Sequence, residues 1–218
     1  MVQNEGTRAR GRPREYDPEV ALQQAMDAFW DTGFSGTSLD DLSTRTGMNR
    51  PSLYAAFGDK QALYLKTLEA YLAGRRKDVV AAFAAGRPLR ETLRALYETV
   101  LDRFLEGDRG ARGCYLVGTA ATEAVDNPEV REALARSLRE LDGDFREAFS
   151  RAKARGELGP EADPEALATV ASAIVYTLAL RARAGQPRAA LRKVADSAVQ
   201  LICSSGGPTR KRRRRRGR

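Results

Sequence analysis

The sequence predicts an all-α protein, with a small N-terminal three-helix domain that contains a helix-turn-helix and a C-terminal helical bundle, about nine helices in total. Apolar residues recur at helical spacing along most of the chain. Capping residues, several followed directly by proline, mark where these stretches begin. No stretch alternates as a half-buried strand does, so we expect helices throughout.

The 218 residues are 42% hydrophobic, as in a folded globular protein. We find no apolar run long enough to cross a membrane and no N-terminal secretory segment, so we expect a cytoplasmic protein that does not use a membrane. There is no histidine, and Cys114 and Cys203 are not spaced as metal ligands. These absences argue against histidine-based catalysis, most zinc sites and any cofactor, and we expect no enzyme.

The net charge of +8 is concentrated at the ends of the chain. Arg210 to Arg218 contains eight basic residues, and the remainder has 29 basic and 29 acidic residues. A second basic cluster lies within residues 1–16. We expect a disordered basic arm over 1–16 and a disordered arginine-rich tail over 206–218, both suited to a polyanion. For the tail, a merely solvated segment or a designed tag remains an alternative.

The first helix should begin at the N-cap Asp17, with Pro18 at its first position, and close at Gly33. Residues 37–57 then indicate two short helices folded around Gly47, which supplies the left-handed residue of the turn. We expect Thr37 to be the N-cap of the first of these helices, with Asp40 completing a capping box.

Asn49 should cap the second short helix, whose Leu53 and Phe57 face inward at i, i+4 spacing. The exposed face then carries Asn49, Arg50 and Ser52. This pattern is typical of a helix-turn-helix, which lays its second helix in the major groove of DNA. An ordinary helical hairpin is the alternative.

Asp59 should cap a linking helix over 60–85, which ends at the break of Gly86 to Pro88. We expect a DNA-binding domain over 17–59 and a second domain over 60–205. Further helices are predicted at about 89–104, 114–125, 127–156, 163–185 and 187–204.

The last two predicted helices suggest a dimer surface. Residues 167–180 carry almost no charge, and small residues recur there at Ala168, Ala171, Ser172 and Ala179. These small residues would let two backbones approach closely. The same pattern would also suit the core of the bundle, and a helix apolar nearly all round needs cover on more than one side.

The segment Arg10-Gly-Arg-Pro-Arg14 is similar to an AT-hook core. Proline keeps such a segment extended, glycine permits close approach, and arginines favour the narrow minor groove of A·T tracts. A plain disordered leader is the alternative.

The stretches Thr37-Ser-Leu-Asp-Asp-Leu42 and Leu53-Tyr-Ala-Ala-Phe57-Gly-Asp-Lys60 resemble the DNA-binding domain of the TetR family of bacterial transcriptional regulators. The resemblance is specific over about residues 17–72. It implies a homodimeric repressor that binds a palindromic operator in double-stranded DNA. It also implies an all-helical core in which a small molecule shifts the linking helix and changes the separation of the two reading heads.

The resemblance assigns roles residue by residue. Thr37, Tyr54 and Lys60 match positions that contact phosphate, and Arg50 is the candidate for a bidentate contact to guanine. Ser43 and Thr46 depart from the usual alanine. The full set of expected DNA contacts is Thr37, Ser38, Asn49, Arg50, Pro51, Ser52, Tyr54 and Lys60, together with Arg10, Arg12 and Arg14 of the arm.

Cys114 should lie near the start of a short helix with Arg112 close by, two features that favour a reactive thiolate. Some members of the family that this chain resembles sense electrophiles or oxidants through such a cysteine; a small buried apolar residue is the alternative. Polar residues within apolar helical stretches are candidates to line a ligand pocket. The expected ligand-binding residues are Tyr97, Cys114, Thr119, Thr122, Glu123, Tyr176 and Thr177.

The sequence therefore favours a sequence-specific transcriptional regulator, a repressor that a small-molecule effector releases. One alternative is an architectural, nucleoid-type DNA-binding protein with little sequence preference, which would rely on the two arginine-rich ends. An all-helical enzyme is the second alternative, and the missing histidine and nucleotide loop argue against it.

Overall fold

The computed structural model describes residues 16–107 and 110–205, and within these ranges it is all-α, which confirms the predicted fold class. A π-helical turn, Leu116–Ala120, precedes the sixth of nine α-helices in the described part of the chain. The expectations for the arm and the tail fall on residues 1–15 and 206–218, outside the described residues. The helices are α1 Pro18–Gly36, α2 Leu39–Thr46, α3 Arg50–Phe57, α4 Lys60–Ala84, α5 Leu89–Leu105, α6 Ala121–Glu123, α7 Pro128–Ala154, α8 Pro164–Arg183 and α9 Arg188–Ser204.

Short polar side chains fix where most of these helices begin. Each N-cap side chain accepts a hydrogen bond from an amide of the first turn, which satisfies a donor that the helix leaves free. Proline follows several caps directly, where its missing N–H costs nothing. The N-caps with this geometry are Asp17, Ser38, Asn49, Asp59, Asn127 and Asp163.

Two boundaries between α1 and α2 differ from the prediction. Gly33 interrupts α1 with φ 77° and ψ 170°, but one further turn follows it up to Gly36. Thr37 then closes α1, because its N–H donates to the carbonyl of Phe34. The N-cap of α2 is therefore Ser38, whose hydroxyl and amide form a reciprocal capping box with Asp41.

The helix predicted over 114–125 is mostly a π-helical turn, with the one-turn α6 after it. The chain enters this segment at Gly113, which has φ 68° and lies against α8. A Cβ at Gly113 would stand 2.8 Å from the carbonyl oxygen of Ala179. Glycine is required there by both the backbone conformation and the close approach.

Helix α8 forms the centre of the bundle, packed against α5, α7 and α9. Its small residues Ala168, Ala171, Ser172 and Ala179 are all buried, so they belong to the core of this chain. By length and composition α8 is apolar enough to span a membrane, whereas the sequence predicted no run of that length. Its composition reflects a helix that is apolar on its outer side as well.

An aromatic cluster joins the N-terminal helices to the bundle. Phe29 and Trp30 of α1 pack against Tyr64 and Tyr71 of α4, and Tyr115 closes the cluster from the other side. Ring centroids lie 5.2 to 5.5 Å apart in these pairs, within the range of favourable edge contacts. Helices α1, α2 and α3 form a three-helix head, which therefore shares its core with α4 and the segment after Gly113.

Alanine substitutions at two glycines test the close packing of Gly113. We expect Gly113→Ala to lower the free energy of unfolding by about 2–4 kcal/mol, because alanine meets both a positive φ and a carbonyl oxygen. Gly143→Ala is the control: Gly143 lies within α7 with nothing within 4 Å of a Cβ. The free energy of unfolding of this control, measured by urea denaturation, should rise by about 0.5–1 kcal/mol. Equal effects of the two substitutions would contradict the packing argument.

Candidate nucleic-acid interface and ligand core

Helices α2 and α3 form the bihelical unit that the sequence indicated. Gly47 adopts φ 64° and ψ 8°, the left-handed conformation that reverses the chain between the two helices. Leu42, Leu53 and Phe57 are buried against α1 and α4, and Met48 fills the turn. The inward side of the unit is thus mostly apolar, with Thr46 buried beside it and bonded to the Leu42 carbonyl, and the first turn of α3 lies at the surface.

The exposed end of α3 carries the residues that the sequence assigned to base contact. Asn49, Arg50 and Pro51 are exposed, and Ser52 is half-buried. The Asn49 side chain accepts a hydrogen bond of 2.9 Å from the Ser52 amide, so its carbonyl oxygen is already used as the cap. Of these residues, Arg50 has the longest reach away from the protein.

Arg50 is held by Asp40 across the two helices. Its Nε and Nη2 donate to Asp40 Oδ1 at 3.1 and 2.6 Å, and these hydrogen bonds raise the pKa of Arg50. Both side chains are more than half exposed, so water screens the ion pair strongly. The guanidinium is oriented at the surface without being removed from solvent, and a nucleic acid can compete for it.

Thr37 is not the N-cap of α2 as predicted, because Ser38 takes that position. Thr37 is 1% exposed, and its hydroxyl lies 2.6 Å from the Gly33 carbonyl oxygen and 2.7 Å from the Thr32 hydroxyl. The Thr37 side chain is thus buried and bonded within the protein in this structure, and its phosphate contact stays a prediction. Ser38 is exposed at the start of α2, and its hydrogen bonds lower the pKa of Asp41.

Tyr54 and Lys60, the other two predicted phosphate contacts, lie on different parts of the head. Tyr54 is 48% exposed on α3. The Lys60 ammonium stands 4.4 Å from the centroid of the Phe34 ring, and partial burial lowers its pKa while the Glu123 carboxylate opposes that change. Lys60 thus lies at the junction of the head with the bundle.

A ladder of hydrogen bonds connects α4 to the segment after Gly113. Tyr64 donates to Thr119 at 2.8 Å, the hydroxyls of Thr67 and Tyr115 lie 2.7 Å apart, and Tyr71 donates to the Cys114 sulfur at 3.2 Å. Burial raises the pKa of Tyr64 to about 12, so its hydroxyl stays a donor at physiological pH. The three contacts fix the register of α4 against the bundle.

The predicted ligand residues are spread over the bundle instead of lining one cavity. Cys114 lines a narrow cavity beneath α4, but Thr119 belongs to the ladder and Tyr97 donates to the Ala171 carbonyl. The Glu123 carboxylate accepts from Ser35 at the end of α1, which makes Glu123 a residue of the junction with the head. The remaining three differ in exposure: Tyr176 has a buried hydroxyl, Thr177 is half-buried and Thr122 is exposed.

The electrostatic surroundings of Cys114 also differ from the prediction. Arg112 pairs with Asp27 at 2.7 Å and approaches Asp31, so its charge is paired with carboxylates of α1. Cys114 is 3% exposed. The arrangement is that of a buried thiol that accepts one hydrogen bond.

Sequence reasoning missed Arg75, which enters the same cavity from α4. Its Nη2 donates to the Ser137 carbonyl and hydroxyl at 3.2 and 2.9 Å. A signal was present: Leu68, Leu72, Arg75 and Val79 follow one another at i+4, i+3 and i+4 on the buried face of α4. A charged residue within an apolar helical stripe is unusual enough to mark a position of interest.

Family models match both parts of the chain. The model for bacterial regulatory proteins of the tetR family matches residues 21–67, and that for the C-terminal domain of tetracyclin-repressor-like proteins matches residues 90–198. These matches and the exposed bihelical unit define a helix-turn-helix transcriptional regulator. The chain belongs to the TetR family.

Individual relatives agree with that assignment. The chain is 32% identical over 159 residues to the uncharacterized HTH-type transcriptional regulator YezE of Bacillus subtilis, covering 72% of this chain and 81% of YezE. It is 28% identical to the HTH-type transcriptional repressor ComR of Escherichia coli, covering 89% and 92% of the two chains. Among solved structures, it resembles the TetR family regulator CifR, in a cysteine mutant complexed with 26-bp double-strand operator DNA. That match has a TM-score of 0.75 and 35% identity, over 87% of this chain and 98% of the other.

Alkylation tests the burial of the Cys114 thiol. We expect iodoacetamide to modify Cys114 about 100-fold or more slowly in the folded protein than in urea, because reaction requires local opening of the core. Cys203, which is half-buried at the end of α9, is the internal control and should show a smaller difference. Peptide mass spectrometry over a time course measures both. Equal protection of the two thiols would show that Cys114 is more accessible than its packing indicates.

Proposed function

We propose that this regulator binds a palindromic operator as a homodimer, represses transcription there, and leaves the DNA when a small-molecule effector enters the bundle. The observation that carries the proposal is that the first turn of α3 is polar and exposed, while the opposite side of α2 and α3 is buried through Leu42, Leu53 and Phe57. Such a turn can approach base edges without disturbing the fold.

Within that turn, Arg50 is the residue that we assign to base readout. Its two donors presently engage Asp40, and the same planar fork matches the O6 and N7 acceptors of guanine. Arg50 is already exposed, so replacing the Asp40 carboxylate by guanine as its acceptor has a small desolvation free energy. Ser38 and Tyr54 are proposed to contact phosphates on either side of α3, and Lys60 to add a charge at the start of α4.

Homodimerisation is proposed through the outer face of α8 and α9. Val170 and Leu180 of α8 and Leu201 of α9 are 50%, 57% and 69% exposed, although they are large apolar residues. Ala173 lies between the two exposed α8 residues and lets a second helix approach. A two-fold interface on this face would cover the apolar surface and present two reading heads to one palindrome.

Effector control is proposed to run through α4. Only Gly58 and Asp59 separate this helix from α3, and it also contains Arg75 and the α4 residues of the hydrogen-bond ladder. Lys60 and Arg75 are separated by about 22 Å along a continuous helix. A ligand that displaces the second half of α4 would therefore move its first turn, and with it the distance between the heads of a dimer.

Replacement of Arg50 tests direct readout. Selection from random duplexes should first recover a preferred palindromic sequence for the wild type. Arg50→Ala should then weaken binding to that sequence by about 1–3 kcal/mol and relax the preference at one base of each half-site. Arg139→Ala is a matched control, since Arg139 forms a similarly exposed pair with Glu132 on α7. Affinity is measured by fluorescence anisotropy at fixed salt.

Two outcomes would contradict this proposal. An equal loss for Arg50→Ala on every duplex would show that Arg50 contacts only the backbone. Failure of the wild type to enrich any sequence, together with a steep salt dependence, would favour the architectural alternative.

A charge on the outer face of α8 tests the dimer. We expect Val170→Glu to raise the dimer dissociation constant at least tenfold, about 1.4 kcal/mol or more, because the two-fold axis places the buried carboxylate in the interface twice. Val80→Glu is the matched control, as Val80 on α4 is also 50% exposed. Sedimentation equilibrium measures both. A wild-type protein that remains monomeric with operator DNA would overturn the proposed assembly.

A further inference from the structure

The guanidinium of Arg75 is buried without a carboxylate partner in the described part of the chain. Its Nε and Nη1 are buried and form no hydrogen bond, and only Nη2 is bonded, to Ser137. The nearby acids are engaged elsewhere, Asp78 by Arg103 and Asp144 by Arg76. Burial of a cation with two idle donors is costly, which calls for a physical explanation.

A second unpartnered group faces the same position. The hydroxyl of Tyr176 on α8 is buried and has no hydrogen-bond partner of good geometry. Burial raises the pKa of Tyr176, and the charge of Arg75 opposes that rise, as do weak hydrogen bonds with Arg75 and Ser137. Native proteins satisfy nearly all buried polar groups, so two idle groups side by side indicate a missing acceptor.

The cavity that Arg75 enters is lined mostly by apolar side chains, and Tyr71, Asp78, Thr99 and Arg103 also contribute to its lining. Arg75 and the buried thiol of Cys114 lie among hydrocarbon walls from four helices, and Arg103 closes the far side in its pair with Asp78. In this conformation the cavity measures about 20 Å³, which is room for a single water molecule. The apolar walls are formed by Val79, Leu96, Val100, Phe104, Leu141 and Val175.

From these contacts we propose that the cavity binds a small organic carboxylate with an apolar body. The carboxylate accepts hydrogen bonds from the Arg75 Nη1 and from the Tyr176 hydroxyl, while Ser137 accepts from Nη2. A charge-assisted hydrogen bond from the guanidinium favours a carboxylate over a neutral amide, which carries no charge. The apolar body lies against Leu96 and Phe104. That this carboxylate is also the effector rests on the function proposed above.

The small size of the cavity has a mechanical consequence. A carboxylate with several carbons does not fit until α4 separates from α7 and α8. Because the carboxylate binds Arg75, its entry displaces α4 directly. Arg75 follows the ladder residues Tyr64, Thr67 and Tyr71 along this helix. Occupation of the cavity is thereby coupled to the helix that supports the reading head.

The test compares straight-chain monocarboxylates, from acetate to octanoate, with their primary amides. The full-length protein is titrated with each compound, and binding is followed by the melting temperature and by isothermal titration calorimetry. We expect saturable binding of at least one carboxylate, with the amide of the same length binding roughly 10- to 100-fold more weakly. Arg75→Met should abolish the difference between acid and amide, and Tyr176→Phe should reduce it.

Lys77→Met is the matched control, because Lys77 also lies on α4, two residues after Arg75, and is exposed. It should leave carboxylate binding unchanged. Arg75→Lys retains the charge without the planar fork and provides a second variant if Arg75→Met does not fold; it should bind the acid more weakly than the wild type. Equal binding of acids and amides by the wild type, or no binding of any acid, overturns the proposal.

A parallel measurement of operator release separates this proposal from the one above. If another small molecule releases the DNA but no carboxylate binds, the carboxylate site is wrong and effector control stands. If a carboxylate binds through Arg75 but the affinity for the operator does not change, the site stands and control through this cavity is wrong.

Discussion

The position of α4 against the bundle is the constraint on which the rest of the structure depends. Tyr64, Thr67, Tyr71 and Arg75 lie on one stripe of this helix, and each bonds to a residue of another element. The first three partners belong to the segment after Gly113, whose path is fixed by a left-handed glycine packed on α8. Because these groups are buried, a lost partner leaves an unsatisfied donor in an apolar surrounding. The helix is therefore expected to occupy a few discrete positions instead of sliding continuously.

The same helix explains why the head and the bundle are not independent in this chain. The aromatic side chains of α1 pack on α4 from one side, and Tyr115 packs on it from the other. Polar contacts reinforce the junction at its edge, where Ser35 of α1 donates to Glu123. A change inside the bundle thus reaches the head through packed rings and short hydrogen bonds. The network is contiguous, and coupling through it has a physical route.

Local chemistry was sufficient to predict most helix boundaries, since Asp17, Asn49, Asp59, Asn127 and Asp163 cap the helices where the sequence indicated. It failed at Thr37 and Ser38 for an identifiable reason. Both residues have a hydroxyl that can cap a helix, and the choice between them depends on the extra turn after Gly33. That turn packs Phe34 against Phe29 and Tyr64, a tertiary contact that capping rules do not contain. The π-helical turn after Cys114 was missed for a similar reason, because its path depends on contacts with α8.

The candidate ligand residues show a different limit of sequence reasoning. A polar residue within an apolar helix can be recognised as inward-facing, but the sequence does not state which partner it meets. Thr119 and Tyr97 meet protein partners and are satisfied, so they have little to offer a ligand. Arg75 and Tyr176 retain buried polar atoms without a hydrogen-bond partner, and only the three-dimensional arrangement reveals this. Under the proposal made above, the positive charge of Arg75, and not the number of polar residues, selects the chemistry of a ligand for this core.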